Sequence, residues 1–196
     1  MQRSKRILTL AVVSVLALAA LPEAGATNDG PAAAGPVVSG VWEHRHASFH
    51  YDGITSLYSC AGLESNIRAL LQHMGARKDL TVRAYGCLGG YNAPGRTAIV
   101  DVDFYSLAPS ADANAANSVQ ARWTPVTVSA NHPNFIRYGD CELMHELKDI
   151  LSKNFSLRDL NYRTDCTPYE VNINDFSVKA EILKPLPATV VGAAQG

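Results

Sequence analysis

The stretch EHRHASFH carries His44, His46 and His50, three of the six histidines in the chain. Residues two apart on an extended strand project from one face, so His44 and His46 could grip one metal ion, with His50 or Glu43 nearby. Neutral imidazole suits zinc, copper or nickel. The competing reading is a solvated strand face, and the expectation is that no cofactor is needed, with zinc or copper as the metal-binding alternative.

Other chemical motifs are incomplete. MHELKD places His145-Glu146 on a helix, but Asp149 stands where a zinc protease needs its second histidine, so the pair reads as helix surface. There is no G-x-S-x-G elbow and no dinucleotide fingerprint, and GCLGGYNAPG lacks the Lys and Ser/Thr of a phosphate loop. Asp101 and Asp103 share a strand face that could hold calcium weakly or simply face water. A hydrolytic site assembled from scattered residues leaves no linear pattern and stays open, as does thiol chemistry.

Four cysteines allow three pairings. Cys60 and Cys141 each open a helical pattern, where a helix dipole would stabilise a thiolate, yet no CxxC is present. A helix of about 15 residues carries the chain roughly 22 Å away from Cys60, and a strand of about seven residues returns it roughly 23 Å, to Cys87. The second set of elements gives roughly 20 Å each way between Cys141 and Cys166. These lengths predict the disulfides Cys60–Cys87 and Cys141–Cys166.

The elements behind that argument occur twice. KDLTVRAYGC, ending at Cys87, resembles RDLNYRTDC, ending at Cys166. Trp42 precedes Cys60 by 18 residues, and Trp123 precedes Cys141 by the same 18. Such ordered matches predict an internal duplication. Each copy reads strand, helix, strand, strand. Leu63, Ile67, Leu70, Leu71 and Met74 form one helical stripe closed by Gly75. Leu143, Met144, Leu147, Ile150 and Leu151 form the other, with Asp140 as N-cap and Asn154 as left-handed stop.

The period then changes to two, in Leu80, Val82 and Ala84 and in Leu160, Tyr162 and Thr164. Val100, Val102 and Phe104 alternate likewise, as do Phe176, Val178, Ala180 and Ile182. Strands with one wet face predict an α+β fold: a mixed or antiparallel sheet carrying two helices on one face, with two disulfides. Pro125 marks an edge or a bulge in its strand. If the copies meet about a pseudo-twofold axis, Trp42, Trp123, Arg83 and Arg163 could wall a groove for an anionic or peptide ligand. Otherwise the tryptophans fill core and the arginines pair with Asp79 and Asp159.

The N-terminus sets the compartment. Arg3, Lys5 and Arg6 precede an apolar run from Ile7 to Leu21 and the small residues Ala24-Gly25-Ala26, the pattern of a secretory signal peptide over residues 1–26. Its removal takes three basic residues and one acidic, leaving 14 and 17 and a net charge of −3. That balance gives no electrostatic reason to expect nucleic acid as partner, and no membrane span is expected in the mature chain.

Residues 27–40 read as a flexible leader and 188–196 as a loose tail, around a single domain over 41–187. Within it lie repeat one (41–109), a linker (110–118) and repeat two (119–187). The expectation is a periplasmic or secreted, disulfide-stabilised, non-enzymatic binding or accessory protein for an unknown protein, peptide or small ligand. A metal-binding protein and a thiol or hydrolytic enzyme are the alternatives.

Overall fold

The computed structural model describes residues 35–112, 118–137, 139–167 and 175–187. The expected signal peptide and C-terminal tail lie outside these residues. The elements are β1 (Val37–Asp52), α1 (Cys60–His73), β2 (Thr81–Tyr85), β3 (Thr97–Pro109), β4 (Ser118–Ser129), α2 (Cys141–Asn154), β5 (Leu157–Thr164) and β6 (Phe176–Pro185). The class is α+β, and the six strands form one sheet in the order β2-β3-β1-β4-β6-β5. Every pairing is antiparallel. This order reads alike from either edge: β1 and β4 meet at the centre, β3 and β6 flank them, and the strands that follow the helices lie outermost.

The central seam corrects one expectation. Val37–Gly40, assigned to a loose leader by their composition, open β1 and pair with Val119–Arg122 of β4. Their partner lies about eighty residues away, and local composition carries no trace of it. The seam is short. Beyond Val41, β1 keeps only β3 as a neighbour, and beyond Arg122, β4 keeps only β6. Pro125 falls in this one-sided part of β4, where its missing N–H breaks no ladder toward β1.

One face of the sheet carries the main core. Tyr51, Val82, Val100, Phe104, Val128, Phe176 and Val178 pack in one cluster with Leu63, Ile67, Leu70 and Leu71 of α1 and with Leu143, Met144, Leu147 and Leu151 of α2. Both helices therefore cover the same face. The opposite face holds a smaller cluster at the seam, Leu107, Ala121, Trp123 and Leu183, with Val38, Trp42 and Val119 against it.

Helix ends show where side chains found better partners than their local sequence offered. Ser59 caps α1, its Oγ accepting from Gly62 N at 3.0 Å. Gly75 takes the left-handed conformation, φ 89°, just past the end of α1. Asp140 precedes α2 but makes no cap bond; its carboxylate accepts from Arg137 N and from the Tyr58 hydroxyl instead, both at 2.7 Å. Asn154 remains helical and does not take the left-handed stop: its Nδ2 donates to Ile150 O, and Phe155 leaves in extended conformation.

Each helix ends against strands of the other half of the chain. His73 Nε2 donates to Thr127 O of β4 at 3.2 Å, and Lys184 Nζ of β6 donates to His73 O at 2.9 Å. Reciprocally, Ser106 Oγ of β3 donates to Asn154 O at 2.7 Å, and Phe104 stacks on Phe155 with centroids 5.3 Å apart. The halves are thus interlocked through one core and cannot separate without exposing it.

The disulfides are Cys60–Cys87 and Cys141–Cys166, with Cα atoms 5.9 and 5.8 Å apart. Each fastens the first residue of a helix to the chain just beyond the following strand, where the length argument puts it. The two outer strands differ, however. Leu80, Val82 and Ala84 are buried as the alternation requires, whereas Leu160 is 39% exposed. Asp159 adopts φ 52°, and the β5–β6 register slips between Arg158 and Asn161. This bulge adds a residue to the edge strand and turns Leu160 off the core face.

Candidate functional site

His44 and His46 share the exposed face of β1, as their spacing requires. Both address Asp103 of β3: His46 Nδ1 lies 3.1 Å and His44 Nε2 3.7 Å from its Oδ1, with all three side chains more than half exposed. Neighbouring Asp101 is held below the usual carboxylate range, first by the Ser48 hydroxyl and then by that of Tyr85. Among the described residues no group of three or more His, Cys, Asp or Glu side chains is placed to hold a metal ion.

The tryptophans and arginines are distributed differently. Trp123 belongs to the seam cluster, and Trp42 packs against that cluster. Arg83 in β2 and Arg163 in β5 stand at opposite edges of the sheet. The arginines that meet the aromatic rings are Arg77, 3.8 Å above the Tyr105 ring and 5.7 Å from Trp42, and Arg158, 3.8 Å above Trp123. Arg77 also grips Asp79 with two hydrogen bonds of 2.7 Å.

A third group of side chains borders a cavity of about 660 Å³. β1 contributes His50 and Asp52 from its one-sided end, so His50 lines this cavity and His44 and His46 do not. α2 contributes the buried Cys141 and, from the face opposite its buried stripe, Glu142, His145, Glu146 and Lys148. β5 contributes Tyr162 and Thr164, and Cys166 follows just past its end. The Cys141–Cys166 disulfide therefore joins the helix wall to the strand wall.

The floor beside this cavity is acidic. Tyr51 is buried, and its hydroxyl donates to Ser56 O at 2.6 Å. Burial pushes the Tyr51 phenol well above its usual range, and Glu142, Asp140 and Asp52 push it further. Gly53 permits the close packing here: a Cβ on it would lie 2.2 Å from both Ser56 O and the Tyr51 hydroxyl. Glu142 Oε1 is 3.4 Å from Thr55 Oγ1, while its Oε2 is buried and has no hydrogen-bond partner. Lys148 Nζ lies 3.0 Å from Asp149 and 5.8 Å from the Tyr162 ring. Among the described residues no Lys or Arg pairs with Asp52, Glu142 or Glu146.

Comparisons with family models, with curated proteins and with solved structures each return no match. What the site can do rests on its own chemistry. The cavity offers carboxylates, imidazoles and one aromatic face, groups that bind through charge and hydrogen bonds and that can also carry protons. Sequence reasoning missed it: His145-Glu146 read as plain helix surface because their cavity partners lie on β1 and β5. One signal was present, the 142, 145, 146 spacing that puts three ionisable residues on a single helix face.

Proposed function

We propose that the mature chain is an exported, disulfide-stabilised, non-enzymatic binding or accessory protein of the periplasm or extracellular space. Its ligand, a small molecule or a peptide segment, occupies the cavity between α2, β1 and β5. The observation that carries this reading is the cavity itself. At about 660 Å³ it lies within the roughly 300–1,000 Å³ span of small-ligand sites, and elements from both halves of the chain wall it. Two disulfides suit an oxidising compartment, which agrees with the signal-like N-terminus. The symmetric strand order and the like-placed disulfides support descent from a duplicated unit.

The test is a ligand screen on oxidised, signal-processed protein, read by thermal shift and by amide NMR. Ligands are expected to move the resonances of His145, Glu146 and Tyr162, and to lose binding in Thr164→Trp, which fills the cavity. Ligands that perturb other regions and ignore Thr164→Trp would place recognition elsewhere.

A hydrolytic reading has one observation in its favour: two imidazoles and three carboxylates border a single cavity. Turnover of ester or glycoside probes that disappears in His145→Ala would establish it over the binding role.

A further inference from the structure

We propose that β1 takes up an extended peptide segment of a partner protein as an added strand, along its free side from His44 to His50. This deepens the peptide form of the cavity reading above and rests on it. The backbone groups of β1 divide between its two sides. Gly53 N donates to Arg96 O and Ser110 N to Ser39 O, both in the register that β3 keeps along β1 without a slip. Odd-numbered residues of β1 therefore direct their N–H and C=O groups to β3, and even-numbered ones direct theirs to the opposite side. On that side β4 meets only Val37–Val41. The backbone groups of His44, His46, Ser48 and His50 thus point where no strand lies, and among the described residues no loop backbone bonds them.

Other strand margins of the sheet are closed. Pro125 removes a donor from the corresponding side of β4, Thr127 O there accepts from His73 Nε2, and Ser129 exchanges two bonds with His132. On β2, five residues long, Glu64 accepts from Ala84 N at 2.9 Å, and β5 carries its bulge. Short strands, prolines and bulges are devices that keep an unpaired edge from capturing another chain. Residues 43–51 of β1 contain no proline, glycine or lysine, and His44, His46, Ser48 and His50 are exposed. Unblunted, the edge is a template for strand addition.

The occupant is one strand and not a second folded copy. In the sheet order β4, β6 and β5 all follow on the free side of β1, and β5 comes round to wall the cavity that His50 and Asp52 border. One strand takes about 4.8 Å of width, which suits a slot between such walls better than a whole sheet does. At the His50 end the segment enters the cavity, where one of its side chains meets α2 and Tyr162. Main-chain pairing supplies affinity for many sequences, and the cavity selects among them.

The probe is a displayed library of random nonapeptides, with selected peptides then made synthetically. Titrated into oxidised, signal-processed protein, they are expected to shift the His44, His46, Ser48 and His50 amides and slow their hydrogen exchange, and to move the Glu146 and Tyr162 amides. Only alternate residues of an added strand bond to β1, so N-methylation of one alternate set should abolish binding while the other set is tolerated. Ser48→Pro removes an N–H from the free side and none from the β3 ladder; it should weaken binding about tenfold, with Ser48→Ala binding as the parent does. Should Ser48→Pro unfold, the N-methylated peptides carry the test.

Binding that survives both N-methylated sets, shifts that leave the β1 amides unmoved, or a library without binders would overturn the inference. Slowed exchange of the same amides through self-association, seen in sedimentation, would give the edge to a second copy and overturn it too. The cavity reading fails separately, if no compound in the wider screen moves the His145, Glu146 and Tyr162 amides.

Discussion

The Tyr58 hydroxyl donates a 2.7 Å hydrogen bond to Asp140 Oδ1, both side chains buried and 82 residues apart in sequence. This bond joins the approach to α1 with the approach to α2. It explains how a fully buried carboxylate is tolerated: its second oxygen accepts from Arg137 N.

Removing the hydroxyl should therefore cost more than a surface bond would. Tyr58→Phe leaves one carboxylate oxygen of Asp140 without its donor inside the core. The expected loss is about 2 kcal/mol, in the range of hydrogen bonds to charged groups. Urea unfolding checks it; an unchanged midpoint at constant slope would show that water or another donor takes over.

Alkaline pH should weaken the fold through the same region. Burial first, and carboxylates second, raise the phenols of Tyr51 and Tyr58 far above their usual range. In the unfolded chain a phenol ionises near pH 10. The contribution to stability is thus complete below about pH 10 and falls as pH rises further, because the unfolded state releases its protons first. Unfolding midpoints measured from about pH 8 to about pH 11 should decline less steeply in Tyr51→Phe/Tyr58→Phe than in the parent. Parallel declines would assign the loss to other groups.

The two disulfides should contribute alike to stability but differently to binding. Their sequence separations are 27 and 25, so the chain-entropy account gives each about 3.5 kcal/mol. Cys60→Ser/Cys87→Ser and Cys141→Ser/Cys166→Ser should lower the urea midpoint by similar amounts. Losses differing by more than about 1 kcal/mol would point to native-state effects at one bond. Only the second pair borders the cavity, so only its loss should weaken a cavity-bound ligand from the screen in protein that is still folded.

The outer strands show where sequence reading stops. The phrases ending in Cys87 and Cys166 look alike, and their cysteines close the same kind of loop. Yet Leu80 is buried and Leu160 is not, because Asp159 inserts a bulge into one edge and not the other. A bulge is set by pairing with β6, and a strand's own alternation does not display it.

What the sequence determined by itself is periodic and local. Stripes at three and four residues placed both helices, alternation placed the strands around them, and element lengths paired the cysteines, because each depends on the geometry of one segment. Only the tertiary structure decided the seam between β1 and β4, the exchange of helix ends between halves, the turning of Asp140 from its helix to Tyr58, and the cavity. Each of these depends on which distant surfaces come together. His50 and Glu142 are 92 positions apart in the sequence and line the same cavity only because β1 continues past the end of the seam beside α2.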